Sequence, residues 1–416
     1  MDSNLLVTQQ HSYDLLIVGA GPTGASLAIA LGQLRPDLRV CLVDRTSFPR
    51  DKVCGDALGP EVLQHLQVLG ADSLVANAPR VDEVELLAPN RSSAVLRVDA
   101  ASLAFPYGVV IRRSVFDADL LQFARKFCDV WEGFRVDGLN VSSDEAVVSG
   151  IRDGQRVSIQ SRIVVGADGA YSTVRKLAKF PRPKQFTLGV AIRGYGRPGP
   201  RIDQNRLVLA YLREILPGYG WVFPVADGSV NVGIGVTQSD LGRESFDIRK
   251  TLSVFVEQLC EGGILACPAL SDVRSHRLTH AYPLRRPTRG NVILLGDAAG
   301  MMNSLSGEGI AYGMSAAWIL ANALSDTSRR GEPDQFALER FAAFFAKRHR
   351  VHYASNFLAL QVMRRERFAS GAIRAAVSDP QVLADAVRLM FGNGRLTVRS
   401  SIRIARSVAS QPWSSA

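Results

Sequence analysis

Six residues near the start of the chain, Gly19-Ala20-Gly21-Pro22-Thr23-Gly24, have the types and spacing to hold a pyrophosphate. Gly19 permits a tight turn, Gly21 lets the backbone approach the phosphates, and Gly24 lets a helix pack closely on a strand. Amides of the first helical turn have no intrahelical partner and face the anion, which also makes Pro22 acceptable there. Asp44 stands 20 residues beyond Gly24, followed by Arg45, where a carboxylate accepts hydrogen bonds from an adenosine ribose. A glycine pattern alone is weak, and its rival is a structural turn. Here a strand precedes it, and a helix and a second strand follow, so we read a dinucleotide site.

A late motif separates FAD from NAD. Val292-Ile293-Leu294-Leu295-Gly296-Asp297-Ala298-Ala299-Gly300 puts Asp297 at a strand end, among residues small enough for close approach of a ribityl chain. The rival for Asp297 is a helix cap. Ser306-Gly307-Glu308-Gly309-Ile310 then leads into a helix whose N-terminal dipole would stabilise negative charge on a reduced flavin ring. NAD needs no such second site, so the cofactor expected is FAD. No later GxGxxG follows a strand. NADPH therefore visits a surface groove, or another electron donor reduces the flavin.

Over roughly residues 12–325 the chain resembles the geranylgeranyl reductase family of FAD-dependent oxidoreductases, with its para-hydroxybenzoate hydroxylase-like fold. Shared elements are the glycine turn, the Asp297 motif, Arg113 in Arg113-Ser114-Val115-Phe116-Asp117, and Gly166-Ala167-Asp168-Gly169 followed by Ser172 and Arg175. These specify cofactor rather than reaction. More specific are Pro49-Arg50-Asp51-Lys52-Val53-Cys54-Gly55-Asp56, similar to the family's Cys-Gly segment beside the flavin, and Tyr219-Gly220-Trp221-Val222-Phe223-Pro224, similar to its substrate-lining strand. Ser304 stands where the family usually has proline, Ala57 where it commonly has glycine, and the basic C-terminal region matches no motif.

The resemblance implies cofactor contacts at Gly19, Gly21, Pro22, Thr23, Gly24, Asp44, Arg45, Cys54, Gly55, Arg113, Asp168, Gly296, Asp297, Gly307, Gly309 and Ile310, and substrate contacts at Tyr219, Trp221 and Phe223. Cys54 is the candidate proton donor; its rival reading is a small buried hydrophobe. Tyr219 and Trp221 alternate with Gly220 and so face one side of a strand, as a substrate wall or as ordinary core. Arg113 meets the flavin or a neighbouring carboxylate. His65, His276 and His280 have no triad or metal spacing and read as structural or surface residues.

The elements that must position these groups follow from periodicity. Strands are expected at Asp14–Val18, Arg39–Val43, Val81–Leu87, Ala94–Val98, within Val147–Val165, through Thr187–Val236 and at Asn291–Leu295. Helices are expected over Ala25–Leu34, Glu61–Leu69, Ser114–Phe127 (capped by Ser114), Phe246–Leu259 and Gly309–Leu324, and beyond Arg329. Strand, turn and helix recur late and bracket an insertion. The expected fold is α/β (α+β overall): a Rossmann-like FAD-binding domain assembled from residues 1–80, 100–180 and 275–325, an inserted antiparallel-sheet substrate domain at 81–99 and 181–274, and a basic helical C-terminal region at 326–416.

The 416 residues are 47% hydrophobic and 21% charged, ordinary for a globular enzyme. Cys41, Cys54, Cys128, Cys260 and Cys267 show no CxxC spacing, so neither a metal site nor a disulfide framework is expected. The short polar N-terminus has no signal-peptide pattern and no stretch is a membrane span, so the compartment read is cytoplasmic. From Arg329 onward 15 Lys/Arg stand against 6 Asp/Glu, nearly all of the net charge of +10. A solvated helical face accounts for that; the sharper reading is peripheral docking on a membrane surface. No recognition motif or stacking series supports nucleic acid. A monomer or homodimer is expected.

The leading expectation is hydride transfer from reduced FAD to a C=C bond of an isoprenoid-like or other apolar small molecule. One rival is an FAD-dependent monooxygenase acting through a C4a-hydroperoxide on an aromatic or polyketide-like substrate, since fold does not determine function. The other is a non-catalytic FAD electron-transfer protein.

Overall fold

The computed structural model describes residues 9–90, 92–101, 103–184, 187–242, 246–280, 285–326 and 335–410. The start of the basic region, Arg329 and Arg330, and the Ser-containing end lie outside the described residues.

Gln9–Val18 forms the centre of an eight-stranded sheet. It pairs in parallel with Gln155–Gly166 on one side and Val40–Val43 on the other. Val292–Leu294 extends the sheet beyond Gln155–Gly166, and Asp129–Trp131 beyond Val40–Val43, both in parallel. Leu15 and Ile17 pack on one face, Leu16 and Val18 on the other. Burial on both faces explains why this strand is a continuous apolar run. The Pro22–Leu34 helix packs against the Ile310–Ser325 helix. Thr23 Oγ1 fills the space beside Gly296 and Gly313, where an added β-carbon would come within 2.6 and 2.1 Å of it.

A seven-stranded sheet runs Ser271–Thr279, Leu188–Gly196, Val230–Thr237, Tyr219–Pro224, Arg206–Ala210, Glu83–Leu87, Ser93–Arg97. Its pairings are antiparallel except one. Arg206–Ala210 pairs in parallel with Glu83–Leu87, joining two segments far apart in sequence. One face of this sheet packs on the Ile248–Glu261 helix, with Val222 and Phe255 in the same apolar cluster. The opposite face presents Leu209, Trp221 and Phe223.

The first helix begins at Pro22 rather than Ala25, those expected at Glu61–Leu69 and Gly309–Leu324 shift by one residue to Pro60–Val68 and Ile310–Ser325, and capping sets the bounds of two more. The helix expected from Phe246 runs Ile248–Glu261, because Asp247 caps it, accepting from Arg249 and Lys250 amides at 2.8 and 3.2 Å. Ser114 is not a cap. The helix runs Arg113–Ala124, and the Arg113 amide donates to Asp56 Oδ1 at 3.2 Å, a carboxylate 57 residues upstream doing the capping.

Among the described residues the C-terminal region contains the helices Gln335–Val362, Glu366–Ser378, Pro380–Phe391 and Val398–Ala409. It is not a detached appendage. Asn303 Nδ2 donates to the Leu389 carbonyl at 2.9 Å and Ser306 Oγ to the Met390 carbonyl at 2.7 Å, tying the Pro380–Phe391 helix to the loop after Asp297.

Candidate functional site

The glycine turn leaves the central strand with Gly19 at φ +106°, where a β-carbon would lie 2.4 Å from the Ala167 carbonyl oxygen. At Gly24 a β-carbon would lie 1.9 Å from the Gly19 oxygen. Both positions demand glycine by space, and Gly19 also by conformation. Gly21 is different: an added β-carbon would meet only Arg50 Nη2, at 3.4 Å, and the residue lines a cleft.

Asp44 braces this turn. One carboxylate oxygen accepts from the Ala20 amide at 2.9 Å and the other from the Thr46 amide and hydroxyl at 2.9 and 2.7 Å. Each oxygen has more than one lone pair, so the group retains capacity for a ligand hydroxyl. Asp168 uses one oxygen to accept from the Thr173 and Val174 amides at 2.6 and 3.0 Å, while its Oδ1 is buried without a partner among the described residues. Burial raises its pKa and these hydrogen bonds oppose the rise.

Arg113 is buried, and its Nε and Nη2 donate to the two oxygens of Asp117 at 2.6 and 2.8 Å. Asp117 is thus the neighbouring carboxylate expected for Arg113. Arg50 approaches Asp117 at 3.4 Å. Asp297 does not cap a helix with its side chain. Its carboxylate faces Lys52 Nζ at 3.8 Å, and a β-carbon on Gly309 would lie 3.1 Å from its Oδ1. Burial lowers the Lys52 pKa, against the attraction of Asp297. Burial also pushes the Cys54 thiol up, while the adjacent Arg113 pulls it back.

Tyr219, Trp221 and Phe223 do share one face, and consecutive rings lie 6.3 and 6.4 Å apart. The Tyr219 hydroxyl donates to the Ser306 carbonyl. Gly55 lies against this strand, since a β-carbon there would come within 2.7 Å of Phe223. Asn231, on the neighbouring strand, accepts from Trp221 Nε1 at 2.9 Å and donates to the Cys54 carbonyl at 2.8 Å.

Most of these groups border one cleft of about 860 Å³, whose lining includes Gly19 and Asp44 together with the apolar Trp221, Phe223, Leu360 and Phe391. Gly24, Asp117, Asn231 and Gly296 are not among its lining residues. The volume is within the range of cofactor and substrate pockets. His276 and His280 are placed differently from expectation. Both line the cleft, and burial lowers each to about 4, keeping the rings neutral. Five free cysteines are present, and no cluster with metal-ligating composition occurs among the described residues.

Sequence reasoning passed over Lys52, Asp56 and Glu308, although each lies in a motif quoted above, and Asn231, which lies within the strand-rich stretch Thr187–Val236. A charged or amide side chain amid glycines and apolar residues was the signal. Leu360 and Phe391 carried no signal, because apolar residues on helices are most often core.

Residues 12–349 match the FAD binding domain family. The chain belongs to that family. It is an FAD-dependent oxidoreductase. It is 31% identical over 322 residues to menaquinone reductase of Mycobacterium tuberculosis, covering 75% of this chain and 76% of that protein. It is 28% identical over 326 residues to digeranylgeranylglycerophospholipid reductase 2 of Methanosphaera stadtmanae, covering 75% and 79%. The geranylgeranyl bacteriochlorophyll reductase-like protein of Thermoplasma acidophilum superposes with a TM-score of 0.76 at 18% identity, covering 96% of each chain, a likeness of fold. The resemblance to geranylgeranyl reductases thus extends from motifs to sequence similarity over 75% of the chain, with a shared fold over 96% of it.

Proposed function

We propose that this flavoenzyme reduces C=C bonds of a lipid carrying an isoprenoid chain. The observation that carries the reading is one cleft lined both by the glycine turn and by the apolar side chains of Trp221, Phe223, Leu360 and Phe391. An apolar chain gains about 25 cal/mol per Å² on leaving water for such a wall. The reductase names of the relatives support the same class of substrate.

FAD, when bound, supplies the hydride. Gly19, Gly21, Pro22, Thr23 and Gly24 seat its pyrophosphate, and Asp44 and Arg45 its adenosine. The place of Gly21 in the cleft lining and the partnerless oxygen of Asp168 support that seat. Gly296, Asp297, Gly307, Gly309 and Ile310 border the ribityl chain and ring, with Lys52 neutralising Asp297. Arg113, held by Asp117, orders the Cys54-Gly55 edge beside the ring. Tyr219, Trp221 and Phe223 orient the substrate and exclude water. NADPH or another donor reduces the flavin. The chain divides into the FAD-binding, substrate and C-terminal units named above.

The basic C-terminal region adds a membrane-facing role. Val398 and Ile402 are 78% and 48% exposed on the Val398–Ala409 helix, which also carries Arg399, Arg403 and Arg406. Exposed apolar residues among arginines suit an anionic bilayer surface. No helix among the described residues is long and apolar enough to cross a membrane.

The test is anaerobic mixing of the reduced enzyme with a menaquinone or a geranylgeranyl phospholipid while the flavin spectrum is followed. Fast reoxidation with saturation of the chain supports the reading. Reoxidation only by oxygen, through a transient C4a-adduct, replaces it with a monooxygenase.

A further inference from the structure

We propose that Glu308 is the proton donor of this reduction, the acid that completes the C–H bond at the carbon not receiving hydride. The inference rests on the C=C reductase reading.

Glu308 borders the same cleft as Tyr219, Cys54 and Asp297. Its loop is held from both sides. The Asn303 amide donates to the Glu308 carbonyl at 2.8 Å, the Gly307 amide to the Asn303 carbonyl at 3.0 Å, and the Tyr219 hydroxyl to the Ser306 carbonyl. One carboxyl oxygen accepts from the Ala311 amide at 3.0 Å. The residue has no ion-pair partner among the described residues; Arg113, the cation that acts on it, is bound in two places to Asp117. Burial raises its pKa, the Ala311 and Ile310 amides and Arg113 oppose the rise, and Asp297 adds to it. Tyr219 and Tyr312 also face it from two other elements, both with hydroxyls raised by burial. Negative charge on a reduced flavin ring would drive Glu308 further toward its protonated form, so the acid carries its proton when the hydride is available.

The alternative acid is Cys54. Its thiol already starts near 9 and burial raises it. An isolated alkene is a weak base and needs the stronger acid, so a carboxylic acid serves better than such a thiol. The balance closes. The alkene takes hydride from reduced flavin at one carbon. The Glu308 O–H bond breaks as the new C–H bond forms at the other. The flavin is left oxidised, and water returns a proton to the carboxylate.

Glu308→Gln retains an oxygen to accept from Ala311 and removes the proton, which separates helix capping from proton donation. We expect unchanged flavin content and thermal midpoint. Anaerobic reoxidation by a prenyl lipid should slow about 10²–10⁴-fold, with loss of the pH dependence set by one acidic group. As pH is lowered, the infrared carboxylic C=O band of the FAD-free protein should gain a component above the ordinary glutamate range that is missing from the variant. Wild-type reoxidation rates in Glu308→Gln would overturn the assignment, as would the same slowing in Cys54→Ala with Glu308→Gln unimpaired. Failure of the wild type to be reoxidised by any prenyl lipid would overturn the reductase reading itself, a result distinct from either.

Discussion

Asn231 and Asp56, 175 residues apart, meet in a 2.8 Å hydrogen bond from Asn231 Nδ2 to Asp56 Oδ2, and both side chains are fully buried. Asp56 has φ +65° and also accepts from the Tyr195 hydroxyl at 2.6 Å and the Arg113 amide at 3.2 Å. Asn231 binds Trp221 and the Cys54 carbonyl as well. One amide therefore sets the cysteine loop, the aromatic strand and, through Asp56, the start of the Arg113 helix in fixed relation.

Replacing Asn231 with leucine leaves the Asp56 carboxylate, the Cys54 carbonyl and the Trp221 indole each short of a partner. Each buried group so stranded costs about 1–3 kcal/mol. Urea unfolding should show a loss of at least that size. An unchanged midpoint would mean the network is not coupled to stability.

Gly19→Ala adds a β-carbon 2.4 Å from the Ala167 carbonyl at a φ that alanine rarely adopts. The variant should purify without flavin colour while retaining its far-ultraviolet circular dichroism. Stoichiometric FAD in the variant would contradict the assigned seat.

Asp44→Ala removes the acceptor for Ala20 and Thr46 together with the ribose contact. FAD affinity should fall by about 10–100-fold, corresponding to about 1–3 kcal/mol. Fluorescence titration of the apoprotein with FAD measures it.

Five histidines with lowered pKa, His352 among them, set an acid limit. Burial lowers His65, His276 and His280 to about 4 and His349 to about 3 from an ordinary value near 6.5. The folded chain refuses protons that the unfolded chain takes up below about pH 6.5, so this stabilisation is complete above that pH and is lost as pH falls toward 4. Buried Asp56 and half-buried Asp168 and Glu308 have raised values and act in the opposite sense, favouring the folded state as they protonate. Urea midpoints measured from pH 7 to 4 should decline, and His280→Asn should flatten the decline by the contribution of one proton.

Reversing the charge of Arg399, Arg403 and Arg406 together should abolish sedimentation with anionic vesicles and leave flavin content intact. Added salt should weaken wild-type binding in the same assay. If charge reversal changed neither vesicle binding nor turnover, the membrane role would be withdrawn.

The sequence by itself determined the dinucleotide turn, because Gly19 and Gly24 answer to contacts made within one strand–turn–helix unit. It also determined that Tyr219, Trp221 and Phe223 share a face, because strand alternation is a local property. It was blind where one segment completes another. Asp56 caps a helix 57 residues away, so Ser114 in the local cap position was misleading. His276 and His280 look idle in one dimension and line the cleft only once the Ser271–Thr279 strand pairs at the sheet edge. Phe391 joins the cleft because Asn303 and Ser306 hold the last turn of the Pro380–Phe391 helix against the loop after Asp297, and Leu360 comes from the Gln335–Val362 helix, whose Tyr353 hydroxyl donates to the Met301 carbonyl at 3.1 Å. Local chemistry is written in residue type and spacing. The pairing of remote groups depends on which surfaces bury each other, and that was decided by the tertiary structure alone.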